Sequence, residues 1–334
     1  MLSSILLTTS FFLASAASVL PALPRADSSY VGYLFVHFYD REPSIFAHLS
    51  NGNDPLAWNA LNGDNAILVP TVGTGAIRDP HLASLPDDSK HFILGTDLDI
   101  DSTNWDAATR TGSRSIIVWE STDLVNWTGE RLVEVMPETA GMVWAPEAVW
   151  DHDANAFLVV WSSRTYAESD TQHTGTASLD QLWYAHTTDF STFTDAQIYL
   201  SLDIPIIDLT FLPYDTVGNS YARFIKNENN LEVWEERSDN GLFGTWTRVG
   251  STEYIDDVVS EGPLVFWDNQ VEDRAYLFLD QYTTAQGYVP FVSDDVDTAA
   301  WTSASTSNFP KLVKHGVVKP LTQAQYDTIQ TTWG

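Results

Sequence analysis

No cysteine occurs among the 334 residues, and basic residues are scarce: 16 Lys and Arg stand against 45 Asp and Glu, a formal net charge of −29 at pH 7. Without cysteine there is no disulfide framework, so the fold must rest on its core, which a chain of this length with 44% hydrophobic side chains can build. The charge balance repels phosphate backbones and anionic lipid heads, which makes nucleic acid and membranes poor partners. A long apolar run is also missing. The most pronounced one, within MLSSILLTTSFFLASAASVLPALPRADSS, is shorter than the ~20 residues that a membrane span needs. It ends in Ala14-Ser15-Ala16-Ala17-Ser18, the small-residue form of a secretory cleavage site. Residues 1–17 are therefore expected to be a signal peptide, with a short propeptide reaching about residue 26 past Leu23-Pro24-Arg25. Residues 27–334 are expected to form one domain of an extracellular, secreted monomer, with one sequon at Asn126-Trp127-Thr128.

Helical periodicity is likewise absent before about residue 320, whereas short β-branched and aromatic runs alternate with Asp, Asn and Gly turns throughout. These runs repeat. A strand leading into a Ser/Thr-Asp turn and a tryptophan or phenylalanine recurs in SIFAHLSNGNDPLAW (44–58), SIIVWESTDLVNWT (115–128), LWYAHTTDFSTFT (182–194), LEVWEERSDNGLFGTWT (231–247) and YVPFVSDDVDTAAWT (288–302). Five copies of about four strands each predict an all-β, five-bladed β-propeller, since radial stacking buries both faces of each small sheet. The first copy begins at YVGYLFVHF (30–38), the second strand of a blade, and KHGVVKPL (314–321) is a spare strand that fills the gap and closes the ring. The tail TQAQYDTIQ is expected to be a short helical cap.

Aligning the innermost strands brings acids together. They start RDPHLASL at 78, WAPEAVWD at 144, IDLTFLPY at 207 and SEGPLVFW at 260, so Asp79, Asp208 and Glu261 are expected to face one another across a central funnel. Crowded carboxyls push their pKa values apart, which suits acid–base chemistry with one group protonated and another ionised. Glycoside hydrolysis is the commonest reaction needing two such groups. A central cation such as calcium is the other use for the cluster, and His315 could reach it directly or through water.

The same motifs, with the WAPE strand, resemble glycoside hydrolase family 43, propeller enzymes acting on arabinose- and xylose-containing polysaccharides; the resemblance runs from about residue 30 to 330. It implies Asp79 as general base, Glu261 as general acid, Asp208 as the residue that tunes and orients the acid, and inversion at the anomeric carbon without a required cofactor. It also implies an exo-acting α-L-arabinofuranosidase first, with β-D-galactofuranoside, β-xyloside, arabinan and β-1,3-galactan open. Two departures stand out: the third motif reads Asp-Leu, and Glu147 is an extra acid. A retaining fructan-acting enzyme is the alternative within the superfamily. Asn53-Asp54-Pro55 is similar to its nucleophile motif, but no Asn-Gly follows, and the motif precedes Trp58 in an outer-blade signature. A non-catalytic carbohydrate-binding propeller is the alternative from another class.

Reflecting each hairpin about its turn places Asp97 near Asp79, Lys226 near Asp208 and Asp280 near Glu261. Lys226 would then hold Asp208 ionised and Asp280 would keep Glu261 protonated. Trp144, Trp161, Trp183, Phe38 and Tyr282 fall near expected funnel ends, where flat rings could stack on sugars, and His37 is a further substrate-side candidate. Trp58, Trp127, Trp246 and Trp301 lie in the blade signature and are expected to pack between sheets.

Overall fold

A computed structural model describes residues 26–27, 29–250 and 254–334. The expected signal peptide and Leu23-Pro24-Arg25 lie outside the described residues. The chain forms a five-bladed β-propeller of five four-stranded antiparallel sheets. Blade 1 contains β1 (Tyr30–Tyr39), β2 (Glu42–Asn51) and β3 (Asp54–Ala60). Blade 2 contains β4 (Ile77–Ser84), β5 (His91–Asp97), β6 (Ser115–Ser121) and β7 (Thr128–Glu134), with the helix α1 (Trp105–Arg110) between its second and third strands. Blade 3 contains β8 (Trp144–Asp151), β9 (Ala156–Ser163), β10 (Gln181–Thr187) and β11 (Gln197–Leu200). Blade 4 contains β12 (Ile206–Pro213), β13 (Tyr221–Asn227), β14 (Glu232–Ser238) and β15 (Thr247–Arg248). Blade 5 contains β16 (Glu261–Trp267), β17 (Ala275–Asp280), β18 (Tyr288–Ser293) and β19 (Thr302–Ser303).

The missing inner strand of blade 1 is supplied by β20 (Gly316–Thr322), which pairs antiparallel with β1 from His37↔Gly316 to Tyr30↔Thr322. The ring is thus closed by its own C-terminal segment. The helix α2 (Gln323–Trp333) follows, started by a capping box between Thr322 and Gln325.

Both faces of each sheet are buried, which explains why the second strands are largely apolar. In β9, AFLVVWSS, Phe157, Val159 and Trp161 pack with blade 2 residues while Leu158 and Val160 pack with blade 4 residues. Alternation therefore sends successive side chains into different inter-blade layers rather than into core and solvent. Five such layers exist, one at every blade boundary. The signature tryptophans belong to them: Trp58 between blades 5 and 1, Trp127 between 1 and 2, Trp246 between 3 and 4, and Trp301 between 4 and 5. Indole N–H groups of Trp58, Trp127 and Trp246 tie back to the carbonyls of Pro55, Leu124 and Leu242 in their own turns.

Candidate active site

The first strands of blades 2 to 5 open with one backbone device. Pairing slips between Arg78 and His81, Trp144 and Glu147, Ile207 and Leu209, and Glu261 and Leu264. Within each slip one residue has left-handed φ: Asp79 at 48°, Ala145 at 47°, Asp208 at 49° and Gly262 at 54°. Such a bulge re-aims its side chain out of the ladder. Asp79 and Asp208 are accordingly in register. Glu261 is not: it stands one residue earlier, level with Arg78, Trp144 and Ile207, and Gly262 holds the place that three aligned acids would require. The reason is steric, because a Cβ on Gly262 would come 2.8 Å from the His315 ring.

Side chains link neighbouring blades at this level. Thr96 donates its hydroxyl to Asp79 Oδ2 at 2.9 Å and accepts from the Ala145 N–H at 2.8 Å. Ser162 Oγ accepts from the Asp208 N–H at 3.2 Å, and Asp208 Oδ2 accepts from the Gly262 N–H at 3.0 Å. His315, just before β20, brings Nδ1 to 3.6 Å from Asp79 Oδ1, an ion-pair distance rather than a hydrogen bond. Burial works against charge on this imidazole, but Asp79, Asp208 and Glu147 outweigh it and raise its pKa to about 9. Burial likewise favours a neutral Asp79, yet His315, Arg78 and the Thr96 hydroxyl hold its carboxyl below the usual range. Asp208 goes the other way: burial, with Glu261 and Asp79 adding, pushes it up to about 6 against His315 and Lys226.

Lys226 is opposite Ile207, but its ammonium crosses to the next blade, 2.9 Å from Glu261 Oε2 and 2.7 Å from Glu228 Oε1. Lys226 favours the ionised form of Asp208 through space, as expected, but Asp208 is the extra residue of the bulge and the direct contacts of Lys226 are with Glu261 and Glu228. Asp280 is the Cα partner of Glu261, the register expected. Its carboxylate pairs with Lys314 at 2.6 Å, and burial pushes it up to about 7, with Lys314 opposing and Glu261 adding. Asp97 is displaced by the same one-residue slip. It lies opposite Ile77 and accepts from the Thr74 N–H at 2.7 Å, so it fixes the preceding loop while Thr96 takes the contact with Asp79.

Of the aromatic candidates, Trp144 and Tyr282 are at the mouth. Trp144 meets the exposed ring of Trp105 edge-on at 5.9 Å, and Lys226 stands 5.1 Å over Tyr282. Phe38 is buried beneath the Arg78 guanidinium, which also pairs with Asp40 at 3.1 Å. Trp161 is fully buried between blades 2 and 3, and Trp183 packs on the same layer, away from the funnel. His37 is corrected too. It is wholly buried within blade 1, with Nε2 2.8 Å from His48 Nδ1 and its ring stacked on Phe46. Glu147 is a wall residue, ion-paired with His81 at 2.7 Å and accepting from Thr210 Oγ1 at 2.9 Å. Asn53 accepts from Asn269 at the β2–β3 turn, the opposite end of the ring from the carboxylates.

Sequence reading missed Arg78, Trp105, Thr96, Glu228 and Lys314. Thr96 was one step from the reflected position, and Trp105 lies in the segment between β5 and β6, outside the repeated turn signature. Calcium takes six to eight oxygen donors. Here His315 stands beside Asp79, with Nδ1 3.6 Å from Asp79 Oδ1. Among the described residues no group of three or more His, Asp or Glu side chains is placed to hold a metal ion.

A cleft of about 310 Å³ opens between blades 1 and 5, lined by Tyr39, Asp40, Arg41, Tyr282 and Lys314 but not by Asp79, Asp208 or Glu261. Acids and aromatic rings converging on one mouth of a five-bladed propeller define the class, a glycoside hydrolase. Residues 28–327 match the family model described as a probable glycosyl hydrolase domain, related to family 43, and the chain belongs to that family. An α-L-arabinofuranosidase of Bifidobacterium longum subsp. longum is 33% identical over 214 residues, 60% of this chain; the match spans only 20% of that relative's length. A variant of the exo-β-1,3-galactanase of Phanerochaete chrysosporium with β-1,3-galactotriose is similar in structure with a TM-score of 0.50. It is 11% identical, over 71% of this chain and 50% of that one. The catalytic domain of a Coprinopsis cinerea family-62 α-L-arabinofuranosidase gives 0.49 over 74% of both chains at 10% identity. At these identities the structural likenesses bear on the fold alone.

Proposed function

We propose that this glycoside hydrolase is a secreted, monomeric, exo-acting α-L-arabinofuranosidase that inverts the anomeric carbon. The observation that carries this reading is the opposed setting of two carboxyls at one funnel mouth. Asp79 is held ionised by His315 and Arg78, as a base requires, whereas Glu261 has the Lys226 ammonium 2.9 Å from its Oε2. In the proposed reaction Asp79 takes a proton from water as that water attacks the anomeric carbon, and Glu261 gives its proton to the departing glycosidic oxygen. Glu261 thereby becomes a carboxylate beside Lys226, whose charge favours the product side of the transfer. Asp208 accepts from the Gly262 N–H and so fixes the backbone next to the acid. The arabinose assignment is supported by the 33% identity to an α-L-arabinofuranosidase. Exo action is carried over from the resemblance to family 43.

Proton NMR of a furanoside and xyloside panel at mildly acidic pH tests the reading. Arabinose is expected, with the inverted anomer appearing first, and Glu261→Gln and Asp79→Asn are expected to reduce the rate by at least about 10²-fold. First appearance of the retained anomer would replace single displacement by a covalent mechanism. No release from any glycoside would leave a carbohydrate-binding propeller instead.

A further inference from the structure

Lys226 poses a problem for any proton donor at position 261. Its side chain is 3% exposed, and a buried ammonium 2.9 Å from a carboxyl favours the ionised form of that carboxyl. A general acid must instead be neutral before transfer and anionic after it. The second contact of Lys226 resolves this: Glu228 Oε1 is 2.7 Å away, in the turn that follows β13, held there by its own N–H donating to the Pro205 carbonyl at 3.0 Å. We propose that Glu228 is a positioning residue that supplies Lys226 with a standing counter-charge, so that Glu261 can take up a proton without leaving the ammonium unpaired. The inference rests on Glu261 being the proton donor of the proposed reaction.

Charge counting supports it. With both carboxylates ionised the group of three carries one net negative charge, and with Glu261 protonated it is neutral. Without Glu228 the same two states carry zero and one positive charge, the second of them on an ammonium almost wholly out of water. Glu228 keeps its side chain 29% exposed, while its Oε1 is turned inward to Lys226. The remaining groups facing Glu261 are Asp280 with its partner Lys314, Asp208 through the Gly262 N–H, and the phenols of Tyr282 and Tyr288. Among the described residues no hydrogen bond or ion pair joins these groups to Glu228, whose charge reaches Tyr282 through space.

The test is the pH dependence of kcat/KM for the full chain on the glycoside that the NMR panel identifies. Glu228→Gln is expected to move the alkaline limb, set by ionisation of the acid, down by about one pH unit or more while the acid limb stays. Lys226→Met is expected to move it up, and Glu228→Asp to restore it. A merely structural role would lower activity at every pH without moving the limb. A readout independent of turnover is carbon NMR titration of ¹³C-carboxyl-labelled glutamate, with Glu261 identified by its loss in Glu261→Gln. Its midpoint is expected to fall in Glu228→Gln and rise in Lys226→Met. An unmoved midpoint in Glu228→Gln overturns this proposal even where glycosidase activity stands. A moved midpoint in a protein that cleaves no glycoside overturns only the reading of function on which it rests.

Discussion

Asp79 and Asp208 share a backbone conformation and a level in the ring, yet their carboxyls are pushed in opposite directions. Burial acts on both. Asp79 has the Thr96 hydroxyl on Oδ2 and the His315 imidazolium beside Oδ1, whereas Asp208 lies close to other acids. If His315 is what keeps the base ionised, His315→Gln removes the charge at similar size and raises the pKa of Asp79. The acid limb of kcat/KM is then expected to move up by about one pH unit or more, with the alkaline limb little changed; an unmoved acid limb would mean that His315 carries no charge in the working enzyme. The acids themselves were legible in the sequence, because a carboxyl at a strand entrance next to Pro or Gly-Pro stands out from ordinary strand composition. Their partners were not. Lys226 reaches sideways into the next blade, and a hairpin reflection sees only contacts within one blade. His37 looked available because a histidine in an aromatic strand gives no sign of the second histidine, His48, that pairs with it across β1 and β2.

At the scale of elements, the bulge that opens each inner strand decides what reaches the axis. Ala145, Asp79 and Asp208 show that this position tolerates a Cβ at left-handed φ, at an intrinsic cost of about 1–2 kcal/mol. Gly262 differs because His315 occupies the space its Cβ would take. Gly262→Ala is therefore expected to displace His315 from Asp79 and reduce kcat/KM by about tenfold or more. Ala145→Gly, at the equivalent bulge without that neighbour, is expected to change it little. Equal losses from both substitutions would point to the backbone rather than to His315. Blade number, strand order and the closing strand were readable because the turn signature recurs and the first copy lacks its inner strand. Register was not, since one extra residue per bulge is invisible to counting, and this slip accounts for the displacement of Asp97 by Thr96.

For the whole molecule, buried titratable groups set opposing pH limits on stability. His37 and His48 form a neutral pair; burial lowers both, His48 to about 4. Their unfolded forms protonate near pH 6.5, so their contribution is complete above that and is lost as pH falls towards 4. Asp79, depressed in the fold, acts in the same sense at lower pH. Burial raises Asp208 to about 6, Asp280 to about 7 and Glu235 to about 8. Their unfolded forms ionise near pH 4, so the stability of the neutral buried acids is complete below that and is lost as pH rises through each folded value. His315, raised to about 9, loses its contribution between about pH 6.5 and 9. Calorimetry across pH is therefore expected to show Tm highest near about pH 5–6 and falling towards pH 9. Glu235 isolates one part of this slope. It is buried between blades 4 and 5, accepts from the Trp301 indole N–H at 2.8 Å through Oε2, and among the described residues has no hydrogen-bond partner on Oε1. Glu235→Gln keeps an acceptor for Trp301 and removes the ionisation, so it is expected to raise Tm at pH 8 by about 2 °C or more and to change it little at pH 5. A lower Tm at pH 8 would instead mean that the Glu235 carboxylate is itself stabilising there, and would place the alkaline decline on Asp208, Asp280 and His315 at the funnel.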